Sequence, residues 1–169
     1  SMKFVIVTGM SGAGKTTVLK FLEDIGFFCV DNLPPALITK FSQLCFEQDG
    51  SIDKVALGID IRGGKLFGDL FEGLKELKSE GYDYEILYLD ASDSTLIKRY
   101  KETRRSHPLS RGGSLETGIG KERAMLADVR QRATYIIDTS SILTRQLKEQ
   151  INKIFKDNGA FDSLIIKVC

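Results

Sequence analysis

Short apolar runs alternate along this chain with longer stretches in which apolar residues recur at helical spacing. The runs lie at residues 4–7, 27–30, 55–59, 86–89 and 135–137, and the helical stretches lie around 18–25, 37–44, 66–79, 93–105, 121–132 and 143–156. A continuously apolar strand is typical of a parallel sheet, because crossover helices cover both of its faces. The pattern therefore predicts one three-layer α/β/α domain with a mostly parallel sheet of about five strands.

The first apolar run leads into a glycine-rich segment that begins a helix. The segment matches the pattern G-x-x-x-x-G-K-[ST] and consists of Gly9, Met10, Ser11, Gly12, Ala13, Gly14, Lys15 and Thr16. Glycines allow backbone angles closed to other residues, so the N–H groups of such a loop can turn inward around phosphate oxygens. We expect Lys15 to neutralise the β- and γ-phosphates and the Thr16 hydroxyl to hold Mg²⁺. The segment predicts a kinase-like P-loop NTPase domain.

Two aspartates end apolar runs and are candidates for the carboxylate of a magnesium site. Asp60 follows the third run and Asp90 ends the fourth. Asp60 is favoured, because the third strand of kinase-like P-loop sheets usually adjoins the first. Asp90 is more simply explained as a turn residue, an interpretation that also stays open for Asp60. Arg62 is either a phosphate ligand or a solvated arginine.

Asp31 and Asn32 follow the second run and precede two prolines. In small-molecule kinases a carboxylate at this position often faces the acceptor substrate, where it takes the proton of the attacking hydroxyl. A simple Asx turn before the prolines explains the same residues equally well.

Residues 98–111 form a basic stretch in which Glu102 is the one acidic side chain. The basic residues are Lys98, Arg99, Lys101, Arg104, Arg105 and Arg111. Arginine forks suit phosphate, so the stretch could clamp a triphosphate or touch an RNA backbone; a solvated helix face is the alternative. His107 is the single histidine and cannot build a metal cluster alone. Residues 108–120, rich in glycine and serine, predict a mobile lid over the glycine loop.

Composition excludes several classes of protein. The 24 basic and 23 acidic side chains nearly cancel, so any contact with nucleic acid must be local. No stretch approaches the roughly 18 apolar residues of a membrane span, and the opening residues do not resemble a secretory signal. Cys29, Cys45 and Cys169 lack metal-ligand spacing, and we expect them to be reduced in the cytoplasm.

The apolar residues at 164–168 predict a strand at the end of the chain.

The sequence blocks resemble the RapZ/YvcJ family of bacterial nucleotide-binding proteins, also called RNase adapter proteins. The similarity runs in order through residues 8–16, 22–35, 60–63, 89–91, 99–109 and 137–140. The run Cys29-Val30-Asp31-Asn32-Leu33-Pro34 and the block Glu102-Thr103-Arg104-Arg105 are far more specific than a glycine loop alone. The resemblance covers essentially the whole chain.

This resemblance implies a kinase-like P-loop domain that binds ATP and GTP. One group of family members resembles RNA adapters, and relatives in Gram-positive bacteria are described mainly as nucleotide-hydrolysing proteins; both interpretations stay open for this chain. The resemblance implies one nucleotide segment at the glycine loop and another at Asp60, Ile61, Arg62 and Gly63. It also implies that residues 1–169 are the N-terminal part of a longer protein. Small RNA, an amino-sugar phosphate and an endoribonuclease would engage mainly the C-terminal domain, which these residues do not include.

Three hypotheses follow for the function of these residues. The first is a regulatory nucleotide-binding domain with slow hydrolysis, in which Lys15 and Thr16 hold phosphate and Mg²⁺, Asp60 completes the metal shell and Arg104 stabilises the transferring charge. The second is a small-molecule or nucleoside kinase with Asp31 as the base on the acceptor side. The third is an RNA-binding module that uses the basic stretch. The preference between ATP and GTP and the oligomeric state stay open.

Overall fold

Each predicted apolar run forms a strand of one parallel sheet. The computed structural model describes residues 3–47, 51–62, 64–103, 109 and 113–156. The strands in these ranges are β1 (Lys3–Gly9), β2 (Phe28–Val30), β3 (Lys54–Gly58), β4 (Asp83–Asp90) and β5 (Tyr135–Asp138). Their order across the sheet is β2-β3-β1-β4-β5, and every pair is parallel. The predicted α/β fold with five parallel strands is thus confirmed.

Helices connect consecutive strands and pack on the sheet. They are α1 (Lys15–Asp24), α2 (Ile38–Phe46), α3 (Gly64–Ser79), α4 (Asp93–Thr103), α5 (Leu115–Met125), α6 (Ala127–Gln131) and α7 (Thr144–Phe155). A short 3₁₀ turn at Pro35–Leu37 precedes α2. Helix α1 packs against α7, α2 against α3, and α4 against α5. In the described ranges, no helix combines the length and the apolar character that crossing a bilayer requires.

The core lies along the central strands, whose side chains are buried on both faces of the sheet. In β1 the four residues 4–7 have no exposed surface, and Val55 and Leu57 of β3 are equally buried. Helix α1 adds Val18 and Leu22 to this core. Burial of a leucine side chain such as that of Leu22 contributes roughly 2 kcal/mol to folding. The loop between β1 and α1 is therefore anchored at both ends in the core.

Two predicted segments differ from the structure. The stretch 121–132 was expected as one helix but is divided at Leu126 into α5 and α6. Helix α5 also begins within the predicted lid, because the Ser114 hydroxyl caps it by accepting the Thr117 N–H at 3.1 Å. Gly118, which falls within the predicted lid, is buried in this helix. Residues 104–108, 110–112 and the predicted strand at 164–168 lie outside the described residues.

The strand order fixes the position of the site. Strand β1 lies between β3 and β4, so the chain leaves β1 toward one edge of the sheet and later returns to fill the other side. In open parallel sheets such a reversal leaves a crevice at the carboxyl ends of the strands. The loop after β1 lies at this crevice.

Candidate functional site

Glycines give the loop after β1 its shape. Gly9 ends β1 with φ 141°, and a Cβ there would lie 2.1 Å from the carbonyl oxygen of Leu89. Gly14 precedes α1 with φ 109°, in the left-handed region that other residues rarely adopt. The glycines therefore allow β1 to end close against β4 and α1 to begin directly at Lys15.

The backbone amides of the loop divide into two groups. Met10 donates its N–H to Leu89 O at 3.0 Å, and Ala13 donates to Met10 O at 3.0 Å. The Ser11 N–H donates to a carboxylate oxygen of Glu122 at 2.9 Å. Four other amides donate to none of the residues that the structure describes: those of Gly12, Gly14, Lys15 and Thr16. Fewer amides can therefore bind phosphate than the whole segment predicts. Those that donate to no described residue lie mainly at the start of α1, where helix N–H groups have no partner within the helix.

These four residues line a cavity of about 710 Å³ at the carboxyl end of the sheet. The facing wall is formed by four polar side chains, those of Asp31, Asn32, Asp60 and Arg62. Tyr100 of α4 also contributes to the lining. The cavity thus brings together the glycine loop, the end of β2 and the segment after β3. Ile61 is an exception, since its side chain is buried in the core, and Gly63 lies outside the described residues.

Lys15 is the central cation of the cavity. Its ammonium nitrogen hydrogen-bonds Asp60 Oδ1 and lies 3.2 Å from Asp31 Oδ1. The guanidinium of Arg62 lies 3.6 Å from the other carboxylate oxygen of Asp60. Two cations and two carboxylates therefore form one charged cluster beside the loop amides that donate to no described residue.

Thr16 and Asp60, the two residues expected from the sequence to hold Mg²⁺, both line this cavity. Asp60 follows β3, which pairs directly with β1, and Thr16 lies in the first turn of α1. Mg²⁺ commonly takes one or two protein oxygens together with phosphate oxygens of the substrate. Within the described ranges, no group of three or more histidine, cysteine or acidic side chains is arranged to hold a metal ion by itself. These two oxygen donors fit a magnesium ion whose remaining ligands would include oxygens of a bound polyphosphate.

Asp31 and Asn32 lie at the turn that follows β2. Asn32 has a φ of 57°, and the next N–H, that of Leu33, donates to Gly58 O at 3.0 Å. The Asp31 carboxylate pairs with Lys15 instead of accepting this N–H. Asp31 therefore does not form a simple Asx turn with the Leu33 N–H, and its side chain lines the cavity instead.

Asp90 has a different environment from Asp60. It is 7% exposed and does not line the cavity. Its carboxylate accepts hydrogen bonds from Arg123 at 2.9 Å and Arg130 at 3.2 Å. These contacts tie the end of β4 to α5 and α6, which is a structural role.

The basic stretch divides into inward and outward side chains. Arg99 donates to Gly12 O at 2.9 Å and to Thr139 O at 2.6 Å, so it joins the glycine loop to the segment after β5. Lys98 and Lys101 are exposed on α4. Arg104, Arg105, His107 and Arg111 lie outside the described residues.

Besides the contact of Arg99, two further contacts of the loop were missed by the sequence analysis. Glu122 bonds Ser11, and the Thr139 hydroxyl donates to Ala13 O at 2.7 Å. Each contact joins residues more than a hundred positions apart, and no local pattern marks such a pair. Glu122 lies in a predicted helix, where a glutamate is ordinarily a solvated side chain.

The parallel sheet, the glycine loop opening α1 and the lysine in its cavity together define a P-loop domain of kinase-like α/β fold. Within that class, the chain belongs to the family described as the RapZ-like N-terminal domain, whose model matches residues 2–159. The family resemblance of the sequence is thus confirmed.

Curated relatives carry the name nucleotide-binding protein. The relative from Ruminiclostridium cellulolyticum is 58% identical over 167 residues, which are 99% of this chain and 57% of that protein. The relative from Clostridium botulinum is 59% identical over 165 residues, or 98% of this chain and 56% of that protein. The chain therefore spans somewhat more than half the length of the curated relatives it matches.

Solved structures with a similar fold include small-molecule kinases. Shikimate kinase from Acinetobacter baumannii, in complex with shikimate, superposes with a TM-score of 0.63 at 21% identity and covers 95% of this chain and 96% of its own. A gluconokinase from Sinorhizobium meliloti gives a TM-score of 0.54 at 17% identity over 88% of this chain and 89% of its own. At these identities the similarity shows the fold alone.

Proposed function

We propose that this chain binds a nucleoside triphosphate, ATP or GTP, in the cavity between the P-loop and the Asp31, Asp60 and Arg62 wall. The observation that carries the proposal is the set of four loop amides that donate to no described residue, those of Gly12, Gly14, Lys15 and Thr16, beside the Lys15 ammonium. Inward N–H groups at a helix N-terminus favour a polyphosphate anion. The names of the curated relatives support the same assignment.

The residues of the cavity have distinct roles in this proposal. Lys15 turns its ammonium to the β- and γ-phosphates, and the amides of the loop hold the phosphate oxygens. Thr16 and Asp60 would hold Mg²⁺, which when bound neutralises phosphate charge. Arg104, outside the described residues, is proposed to stabilise the transferring charge. Arg62 faces the cavity and is a second cation available to phosphate.

The proposed turnover is a slow hydrolysis that serves regulation. Asp31 lies 3.2 Å from the lysine that would hold the terminal phosphates, so its carboxylate can orient a water molecule there. P-loop proteins hydrolyse nucleotide slowly when no partner protein adds an arginine to the site, even where their own chain supplies one. We therefore expect phosphate release in the presence of Mg²⁺, at a low rate.

Phosphate release tests this assignment. It is measured from ATP and from GTP, with Mg²⁺ and with a chelator, for the wild type, Thr16→Ala and Lys20→Ala. Lys20 is an exposed residue of the same helix and serves as the control. Release that requires Mg²⁺, is lost in Thr16→Ala and persists in Lys20→Ala supports the proposal. Equal release by all three proteins, or release insensitive to the chelator, contradicts it.

A small-molecule or nucleoside kinase is the second candidate, and the position of Asp31 favours it. The carboxylate lies beside Lys15 on a side chain that is 46% exposed, and there it could take the proton of an acceptor hydroxyl. The test is a panel of sugars, hydroxy acids and nucleosides incubated with MgATP and analysed by mass spectrometry. A phosphorylated product that disappears in Asp31→Asn supports the kinase. ADP formation that no panel compound accelerates favours hydrolysis.

Control of small RNA, with an endoribonuclease as partner, is proposed only for a longer protein of the relatives' length. In the basic stretch, Arg99 is bound to Gly12 and Thr139, which leaves Lys98 and Lys101 as exposed cations of α4. An RNA-binding role for this chain predicts a gel shift that weakens steeply with salt, because phosphate contacts release counterions. The absence of a shift at low salt would remove this role.

A further inference from the structure

Three side chains hold the P-loop from outside its cavity. Glu122 of α5 accepts hydrogen bonds from Ser11, Arg99 of α4 donates to Gly12 O, and Thr139 donates to Ala13 O. These contacts involve three successive residues of the loop, and none of the three side chains lines the cavity. The conformation of the loop is therefore determined by elements far away in the sequence.

The contact of Glu122 with Ser11 is the most specific of the three. One carboxylate oxygen accepts the Ser11 N–H at 2.9 Å, and the other accepts the Ser11 hydroxyl at 2.6 Å. The glutamate is only 2% exposed. A carboxylate removed from water is costly unless donors replace the lost hydration, and Ser11 supplies two of them. The contact thus ties α5 to the middle of the loop.

We propose that Glu122 is a positioning residue of the P-loop, which fixes the loop conformation that binds polyphosphate by accepting two hydrogen bonds from Ser11. The inference rests on the proposed nucleotide binding. With the Ser11 N–H directed to Glu122, the peptide between Met10 and Ser11 has one orientation. The following residues, Gly12 and Gly14, then keep their available amides at the cavity. Because order present before binding need not be created by the ligand, the affinity for polyphosphate is higher.

A purely space-filling role for Glu122 makes different predictions. If Glu122 only fills the volume between α5 and the loop, a methionine of similar length should replace it without loss. If its hydrogen bonds position the loop, methionine should fail. Glutamine should then succeed, because its amide oxygen can accept the Ser11 N–H and its amide nitrogen can donate to the hydroxyl.

The test compares Glu122→Met and Glu122→Gln with the wild type by titration calorimetry with MgATP. We expect the affinity of Glu122→Met for MgATP to be about tenfold weaker than that of the wild type, and the affinity of Glu122→Gln to stay within about threefold of it. Ile119→Val, a conservative change at a fully buried residue of the same helix, is the control and should leave the affinity unchanged. Wild-type affinity in Glu122→Met, or equal weakening by both variants, overturns the proposal.

Ser11→Ala keeps the inference testable if Glu122→Met does not fold. This variant removes the hydroxyl donor and leaves the N–H, so binding should weaken by about threefold. An unchanged affinity would count against the positioning role. If the wild type itself binds no MgATP, the proposed function fails instead. Hydrogen exchange of the Ser11 amide then tests the positioning: it should be slow in the wild type and Glu122→Gln and faster in Glu122→Met, and equal rates in all three overturn it.

Discussion

The ammonium nitrogen of Lys15 lies 3.2 Å from a carboxylate oxygen of Asp31, and it also hydrogen-bonds Asp60. The three residues come from different parts of the chain: the start of α1, the turn after β2 and the segment after β3. One lysine thus lies between two carboxylates at the mouth of the P-loop. A polyphosphate that binds there competes with both carboxylates for the same cation, which gives the site several testable properties.

Replacement of Asp31 by asparagine should tighten nucleotide binding. The change removes a negative charge next to Lys15, so it lowers both the competition for the ammonium and the repulsion of phosphate. We expect the dissociation constant for MgATP to fall by about threefold and the rate of phosphate release to fall as well. Calorimetry and a phosphate assay on the same preparation measure both. Weaker binding in Asp31→Asn would contradict this account of the charge cluster.

Asp60 and Asp90 should respond in opposite ways to the same substitution. Asp60→Asn should leave the free energy of unfolding nearly unchanged but remove the Mg²⁺ dependence of nucleotide binding, since Asp60 lies in the cavity. Asp90→Asn should lower that free energy by about 2 kcal/mol, because the carboxylate pairs with Arg123 and Arg130.

Denaturant unfolding and calorimetry with and without Mg²⁺ distinguish the two aspartates. Each variant is the control for the other, since both replace a strand-end aspartate by the same residue. A loss of Mg²⁺ dependence in Asp90→Asn with full stability would mean that the metal role belongs to β4.

ATP and GTP should compete for one site. The family resemblance implies two nucleotide segments, the glycine loop and the segment that begins at Asp60. In the structure Lys15 of the first segment hydrogen-bonds Asp60 of the second, and both line one cavity. We expect a stoichiometry of one nucleotide per chain, and GTP should displace a fluorescent ATP analogue completely. Independent saturation by both nucleotides would require a second site.

The reactivity of Cys29 tests the packing of α1 on β2. Its thiol donates to Leu19 O at 3.3 Å, and burial, together with the charge of Glu23, raises the pKa of Cys29 to about 11. Because the thiolate is the reactive form, alkylation of Cys29 should be slow at pH 8 and accelerate as the pH rises toward 11. Peptide mass spectrometry after iodoacetamide treatment measures this rate, with the urea-unfolded chain as the control. Equal rates in the folded and unfolded chains at pH 8 would contradict the packing.

The sequence predicted the elements and the part of the site that local pattern controls. Buried parallel strands need uninterrupted apolar runs, and the runs at 4–7 and 55–59 marked β1 and β3 correctly. Since these two strands are neighbours, the expectation that Asp60 follows a strand beside the P-loop strand also held. Glycine spacing located the loop because backbone angles there are a local property.

The contacts that hold the loop could not be predicted in this way. Glu122 and Ser11 are 111 positions apart, and they meet only because α5 packs beside the loop. Arg99 lies in the basic stretch between Lys98 and Lys101, which are both exposed. Because all three side chains are cationic, their charge does not show that Arg99 is the one that contacts the loop. The boundary of the predicted lid was also wrong, because the cap at Ser114 makes residues 115–120 helical.

Binding of nucleotide to Lys15→Ala tests the central claim most directly. Titration calorimetry with MgATP and MgGTP on the wild type, Lys15→Ala and the control Lys20→Ala compares two lysines of one helix, of which only the first lies in the cavity. The account predicts saturable binding to the wild type and Lys20→Ala, and a loss of affinity of about a hundredfold or more in folded Lys15→Ala. Unchanged affinity in Lys15→Ala would contradict it, because a polyphosphate bound by this loop must contact that ammonium.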